Sequence, residues 1–385
     1  MPFDAVACSQ RIVLLVPDIA DTITRNRVES FLEAGHKLNV LGFRRGRYKR
    51  ADPAGGPHVN LGSTADARYG QRLAAIIGAL PKLVSHRRLL RDADALYSRN
   101  LDQLVLALFA RIFLRARAPI FYEVLDIQPI FVGKELAAQL VRLIERLCLR
   151  SVRLLIVSSG GFHANYYQPV QHYRGRWFLL ENKLPASALS LPRDRPRRVQ
   201  DKGQISNRLV VGYFGLIRGQ ATLNLIEKLA QRLRDRVVFR FAGIVTSVDP
   251  ANFERVVKNN ENIVYDGEYD NPTDLPRLYD SIDFAWALDL ENVDGNSRWL
   301  MPCRFYEAGY FGVPCLVARD FEIGRTVEEF GCGWSFDAPY EDALVEFFRS
   351  LTSAEYGAKR RRLVELPDAS FVAGTDADGL ARILR

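Results

Sequence analysis

At 385 residues, 48% hydrophobic and 25% charged, the chain has the composition of an ordinary globular protein of about two domains. That balance excludes a disordered or low-complexity class. The net charge of +8 is uneven: residues 1–190 hold 27 Lys and Arg against 15 Asp and Glu, about +12, leaving about −4 for the rest, so an anionic partner is expected at the first half.

RIVLLV at 11–16 is a continuous apolar run, too short for a helix and followed by Pro17, so it reads as a buried parallel strand. TRNRVESFLEAGHKLNVLGF then predicts a helix with Val28, Phe31 and Leu32 inward, a stop at Gly35 and a second strand. ALYSRN, PIFYEVLDI and LLIVSS are further strands between helical segments, and RWFLLENKL closes the half. The expected architecture there is a doubly wound α/β domain over 1–185. Residues 186–207 are polar, Pro-containing and aperiodic, the composition of a linker.

A second series occupies 208–385, with a last helix able to pack back on the first domain. RLVVGYFG is a strand, ATLNLIEKLAQRL a helix, VVFRFAG and NIVYDGEY strands, DLPRLYDSI a helix and DFAWALD a strand. The fold class expected is therefore α/β with two Rossmann-like doubly wound domains, whose ligand lies in a cleft beyond the carboxyl ends of the strands.

RWLMPCRFYEAGYFGVPCLVA at 298–318 places charge where an interior helix is ordinarily apolar. Arg304 and Glu307 are three apart and share a helix face, while Phe305, Ala308 and Gly309 form a core-facing stripe. Pro302 suits the first turn, Gly312 the stop, and VPCLVA a buried strand. An inward Arg and Glu beside a strand suggest anion and hydroxyl recognition; a structural ion pair between them is the alternative.

GHKLNVLGF, YEVLDI, VSSGGFHANYY followed by ENKL, VGYFGLIRG and PCRFYEAGYFGVPCLV, in that order, resemble the GT-B glycosyltransferases, especially the family-4-like group. The resemblance covers nearly the whole chain. It implies transfer of a sugar from a nucleotide-sugar donor, UDP-linked by family frequency, to a hydroxyl of a saccharide acceptor, a polyprenyl-linked one included, in polysaccharide or glycoconjugate assembly. It also implies that Glu307 bonds the donor ribose. Relatives usually carry a second Glu eight residues earlier, where this chain has Trp299, so the donor-sugar contact and the stereochemistry stay open.

Glycosyl transfer builds negative charge on the departing diphosphate, which fixed positive groups must stabilise. Arg218, in the turn GYFGLIRG with Gly215, and Arg304 are the candidates, with the helix end after Gly219 in support. Arg298 is a weaker candidate, and Tyr269 either lies against the nucleotide base or packs. On the acceptor side, Asp126 is the catalytic candidate at a strand end: a general base, an acceptor-positioning group or a structural cap. Glu123, Ser159 and Gly160 are further acceptor-side candidates, the serine reading also as a helix cap.

No metal or other cofactor is expected. The D-x-D pairs Asp92 with Asp94 and Asp376 with Asp378 stand in the wrong context for metal binding, and no His cluster offers a transition-metal site. Cys8, Cys148, Cys303, Cys315 and Cys332 show no C-x-x-C pair and fit buried thiols of a reducing compartment. No run reaches the ~20 apolar residues of a membrane span. MPFDAVACSQR lacks a signal design, so a cytoplasmic location is expected, peripheral at most on the inner face of the plasma membrane.

RLAAIIGALPKLVSHRRLLR, LVLALFARIFLRAR and KELAAQLVRLIERLCLR combine apolar and basic residues. In the last, Arg142, Arg146 and Arg150 recur every four residues, giving a cationic face that either meets an anionic membrane or is simply solvated. No nucleic-acid module is recognisable, so nucleic acid is not expected as a partner. A GT-B-fold sugar-nucleotide epimerase and a catalytically silent sugar-nucleotide binder remain the alternatives to a transferase.

Overall fold

The computed structural model describes residues 9–46, 56–64, 69–192, 207–374 and 379–380. The chain divides into two compact units, 1–181 with 374–385, and 182–373. Most of the expected linker, 193–206, and the pair Asp376 with Asp378 lie outside the described residues. The linker's first residues are not loose: Ala186–Ser190 is a 3₁₀ turn, Ala188 is buried in the second core, and its carbonyl accepts from Tyr310 Oη at 2.8 Å.

The first unit is built on β1 (Arg11–Val16), β2 (Lys37–Arg44), β3 (His58–Ser63), β4 (Ala95–Arg99), β5 (Ile120–Val124), β6 (Val152–Val157) and β7 (Trp177–Leu179). All pair in parallel, in the order β3-β2-β1-β4-β5-β6-β7. The apolar run at 11–16 is the central strand, buried from Ile12 onward, as a strand covered on both faces must be. Helix α1 (Thr22–Glu33) buries Val28 and Phe31, is capped by the Asp21 side chain, and hands over to β2 through Gly35 at φ +82°. The strand β3 has no counterpart among the elements read from the sequence; its HVNLGS is short, polar and at the sheet edge.

The helices between later strands are α2 (Tyr69–Ser85), α3 (Arg87–Arg91), α4 (Asn100–Phe113), α5 (Pro129–Val132) and α6 (Leu136–Leu149). The cationic face expected on α6 is not formed. Arg142 donates to the carbonyls of Phe131 at 3.0 Å and Gly133 at 2.7 Å, and Arg146 to that of Val170 at 2.7 Å, so both guanidinium groups fasten the helix inward. Beside them, the buried Glu145 carboxylate accepts from the hydroxyls of Tyr122, Tyr166 and Tyr167 and from Gln171, at 2.6–3.0 Å. Burial pushes its carboxyl above the usual range while those four donors pull it back.

The second unit repeats the plan with β8 (Leu209–Ile217), β9 (Val237–Val245), β10 (Ile263–Tyr265), β11 (Phe284–Trp286), β12 (Cys315–Ala318) and β13 (Gly333–Phe336). Its parallel order is β10-β9-β8-β11-β12-β13. Counted from their own first strands, both sheets run 3-2-1-4-5-6, the first with a seventh strand added after the sixth, the doubly wound order that reverses direction between strands one and four. Two such Rossmann-like domains are the architecture expected from the sequence. Among the described residues no helix is long and apolar enough to cross a membrane, and Cys148, Cys303, Cys315 and Cys332 are free thiols.

Near its carboxyl end β8 runs very close to β9. Gly215 and Gly243 are register partners, and a Cβ on Gly243 would lie 1.9 Å from the Gly215 carbonyl oxygen, at φ +128°. Gly267 also has positive φ, +81°, but has nothing within 4 Å of that position. Gly243→Ala is therefore expected to lose at least about 3 kcal/mol, strain plus overpacking. Gly267→Ala is expected to lose only about 1–2 kcal/mol, the left-handed penalty alone. Urea unfolding of the two variants measures the difference.

Candidate active site

In the second unit the polar groups collect where the sheet order reverses, at the carboxyl ends of β8 and β11. Arg304 enters from the helix Cys303–Tyr310, whose other face buries Phe305 and Ala308. Gly309, on the core-facing stripe, is met by the Phe371 ring, 2.1 Å from where a Cβ would stand. Arg304 Nε donates to the Phe214 carbonyl of β8 at 2.8 Å and Nη1 to the Trp286 carbonyl of β11 at 3.0 Å. Its guanidinium carbon lies 4.3 Å from the centre of the Tyr213 ring. A Cβ on Gly215 would be 3.8 Å from Arg304 Nη2 and 3.9 Å from Tyr269 Oη, so these three residues border one small space. Only glycine leaves that space open, and φ +106° is a conformation that side chains disfavour.

Arg304 and Glu307 are not an ion pair. The buried Glu307 carboxylate accepts from Tyr279 Oη at 2.8 Å and Asn271 Nδ2 at 3.0 Å instead. Burial raises its pKa; the two hydrogen bonds, and then the Arg304 charge, act against that rise. A carboxylate has about four acceptor positions, so two fixed donors orient it and leave it able to accept from further hydroxyls. Burial likewise pushes the Tyr269 phenol up, helped by the Glu307 charge and opposed by Arg304.

Arg218 follows β8 and precedes Gly219 and the helix Gln220–Arg232, as the turn GYFGLIRG implied. Its charge is already engaged: Nη2 lies 2.6 Å from Asp289 Oδ2, and Nε 3.3 Å from Glu291 Oε2. Arg298 is more remote from this chemistry, paired with Asp320 and 5.8 Å from the centre of the Phe321 ring. The donor-side candidates thus separate into a group of four, Gly215, Tyr269, Arg304 and Glu307, and two arginines committed to carboxylates. Asn271, Tyr279 and Asp289 were not marked by any sequence motif.

In the first unit Asp126 is exposed, two residues beyond β5. It belongs to a charged group at the strand ends. Burial and Arg72 lower the Arg45 pKa, while Asp21, Asp18 and Asp126 act in the opposite direction. Asp18, buried beyond β1, has its pKa raised by burial and Asp21 against the backbone bond from Ala20 and the charge of Arg45. Arg72 is itself held by Asp102 at 2.7 Å and Gln128 at 2.7 Å. No sequence motif marks Asp18 or Arg45, although Asp18 stands two residues past the apolar strand β1.

Glu123 cannot reach an acceptor. It is fully buried, 2.6 Å from Arg27 and 3.1 Å from Arg99, its register partner on β4, so it is an internal counter-ion. Ser159 is buried and caps the turn Gly160–Phe162, its hydroxyl accepting from the Gly161 amide at 3.2 Å; Gly160 is partly exposed at the same strand end. Asp94 of the first D-x-D pair binds the backbone amide of Arg11 at 2.8 Å, at the opposite end of the sheet. Among the described residues no three His, Cys, Asp or Glu side chains gather as a metal site.

Removing Glu123 takes the carboxylate from buried Arg27 and the nearer of two carboxylates from buried Arg99, whose other is Asp21 at 3.7 Å. Glu123→Ala is expected to lose about 3–5 kcal/mol, whereas Asp126→Ala, at an exposed position, should stay within about 0.5 kcal/mol of the parent. Urea denaturation separates the two.

No family model matches the chain. The succinoglycan biosynthesis protein ExoL of Rhizobium meliloti (strain 1021) is 29% identical over 378 residues, 97% of this chain and 93% of that protein. Among solved structures, sucrose-phosphate synthase of Thermosynechococcus elongatus superposes with a TM-score of 0.68 at 14% identity, covering 97% of this chain and 98% of the other. WaaG, a glycosyltransferase involved in lipopolysaccharide biosynthesis, gives 0.66 at 14%, covering 97% and 99%. HepE of Anabaena, in complex with UDP-glucose, gives 0.66 at 17% over the same shares. Carried by two doubly wound sheets and matched over nearly its full length to these proteins, the chain has the GT-B fold of two Rossmann-like domains.

Proposed function

We propose that the chain is a glycosyltransferase that moves a sugar from a UDP-linked donor to a hydroxyl of a saccharide acceptor in polysaccharide assembly. The observation that carries this reading is the group at the β8–β11 switch point: a guanidinium held by neutral carbonyls, an open glycine, and an oriented carboxylate. Likeness to a succinoglycan biosynthesis protein supports polysaccharide assembly, and HepE with UDP-glucose supports the uridine donor. Arg304 would bear on the diphosphate and Glu307 on the ribose hydroxyls. Arg218, held by Asp289 and Glu291, would contribute less unless the donor displaces a carboxylate. Transfer would need no metal, because Arg304 and the helix end after Gly219 answer the leaving-group charge. Asp126 would serve as the general base or position the acceptor, a polyprenyl-linked saccharide at the cytoplasmic membrane face.

Loss of a charge-assisted hydrogen bond costs about 1.5–3 kcal/mol, so Arg304→Ala should weaken UDP binding roughly ten- to hundredfold in calorimetry. Arg218→Ala should cost less. Transfer of labelled sugar only when a saccharide acceptor is present separates a transferase from an epimerase or a silent binder. Unchanged nucleotide affinity in both Arg304→Ala and Glu307→Ala would remove the basis for this site.

The carboxylate form of Glu307 accepts from two hydroxyls; its protonated form must spend one oxygen as a donor. Affinity for UDP-glucose, whose fully esterified diphosphate does not titrate in this range, is therefore expected to fall on acidification, beginning above the ordinary Glu range because burial raises this group. Glu307→Gln should bind UDP-glucose weakly without that step, read by calorimetry between about pH 8 and about pH 5. For stability the sign is opposite: a raised folded-state pKa gives a contribution present at low pH and lost as pH rises through it. The Gln variant should thus melt no lower than the parent at neutral pH, which separates lost affinity from unfolding.

A further inference from the structure

Helix α6 is amphipathic the wrong way round for a soluble domain. Its inner face carries Glu145, Arg142 and Arg146, all fastened to the protein. Its outer face presents Leu136, 83% exposed, and Leu140, 58% exposed, with Leu143, Ile144 and Leu147 also exposed. These five recur at i, i+4, i+7, i+8 and i+11, one continuous apolar stripe. The neighbouring helices extend it. Helix α4 packs beside both α2 and α6, and it ends in Ile112 and Phe113, 66% and 68% exposed. Helix α2 adds Leu73, Ile77 and Val84, again at i, i+4 and i+11.

The charge around this face is mostly of one sign; the exposed acids at the helix ends are Glu135, next to Leu136, and Asp92, just after α3. Helices α2, α3, α4 and α6 contain only two acids, Asp102 and Glu145; the first is paired with Arg72 and the second is buried. Exposed cations gather towards the carboxyl ends of the same helices: Lys82, Arg87 and Arg88 near the end of α2, Arg111 and Arg117 at the end of α4, Arg150 after α6. Lys82 donates to the Asn60 carbonyl and Arg111 to that of Ser151, neutral partners that leave their charge in place. Isolated apolar side chains on a surface are ordinary, but three adjacent helices sharing an exposed apolar face with a cationic rim are a docking surface.

We infer that this face of the first unit inserts into an anionic phospholipid bilayer, α6 lying in the plane of the interface with its leucines in the acyl region and the helix-end cations at the phosphates. Apolar insertion combined with basic attraction is the physics of interfacial helices, and the predominantly cationic rim complements an anionic lipid surface. The inference rests on the proposed lipid-linked acceptor only for its purpose: vesicle binding is read without turnover, so the two can fail separately.

The test floats the full chain with vesicles of phosphatidylcholine alone or mixed with phosphatidylglycerol. Binding is expected to favour the anionic vesicles and to fall with added salt. Arg87→Ser with Arg88→Ser should weaken it roughly 25-fold, about fivefold per cation. Leu140→Gln with Leu147→Gln should weaken it at least about tenfold by removing inserted apolar area. Because all four residues are exposed, unchanged melting and retained transfer to a soluble acceptor are expected in both variants. Equal, salt-insensitive binding to both vesicle types would overturn the proposal, as would anionic binding untouched by the leucine changes. A dimer in light scattering that the leucine changes disperse would assign the face to a second copy and overturn it too.

Discussion

The second unit turns on one guanidinium held by two peptide carbonyls. Arg304 reaches from its helix into the crevice where the sheet order reverses and bonds to Phe214 of β8 and Trp286 of β11. Those strands diverge in connectivity there, so their carbonyl ends are free to accept from a side chain. The acceptors are neutral, so the charge is positioned without being cancelled. Arg218, nearer the helix end and more obvious in the sequence, is positioned by two carboxylates that do cancel it. An arginine anchored by carbonyls is ready for an anion; one anchored by carboxylates must first exchange partners.

Glu307 follows the same logic with the sign reversed. Tyr279 and Asn271 hold the carboxylate from two sides, and burial raises the cost of its charge. A buried acceptor with unfilled lone pairs discriminates strongly, because a ligand lacking the matching hydroxyls leaves it poorly satisfied. The open space at Gly215 lies beside Arg304 and Tyr269, and Asn271, two residues beyond Tyr269, binds Glu307. A guanidinium held by carbonyls and a carboxylate held by neutral donors thus share one helix face without cancelling each other.

The fold was legible because apolar runs such as Arg11–Val16 and Cys315–Ala318 are buried on both faces, a pattern that composition alone exposes. Much of the chemistry was not, because helix spacing says which residues are neighbours on a face and nothing about partners from elsewhere. The three-residue spacing of Arg304 and Glu307 offered an ion pair; groups 18 to 90 residues away took both partners. The role of Glu123 is hidden for a related reason: strand alternation does not reveal that Arg99 stands opposite it in register and Arg27 reaches it from α1. The short polar edge strand β3 carries too little apolar pattern to be seen at all.

The excess positive charge of the first half does several jobs that a sum conceals. Arg27, Arg99 and Arg72 are interior, matched to Glu123 and Asp102, where removing one partner would leave an uncompensated buried charge. Arg91, Arg142 and Arg146 tie loops and helices to backbone carbonyls. The exposed remainder includes the helix-end cations around α2, α4 and α6, where basic residues also favour the negative ends of the helix dipoles. A period-3.6 pattern in KELAAQLVRLIERLCLR shows that α6 has two faces but not which one is inside. Glu145 decides it: four hydrogen-bond donors inside the unit hold its carboxylate, and that turns the leucines outward.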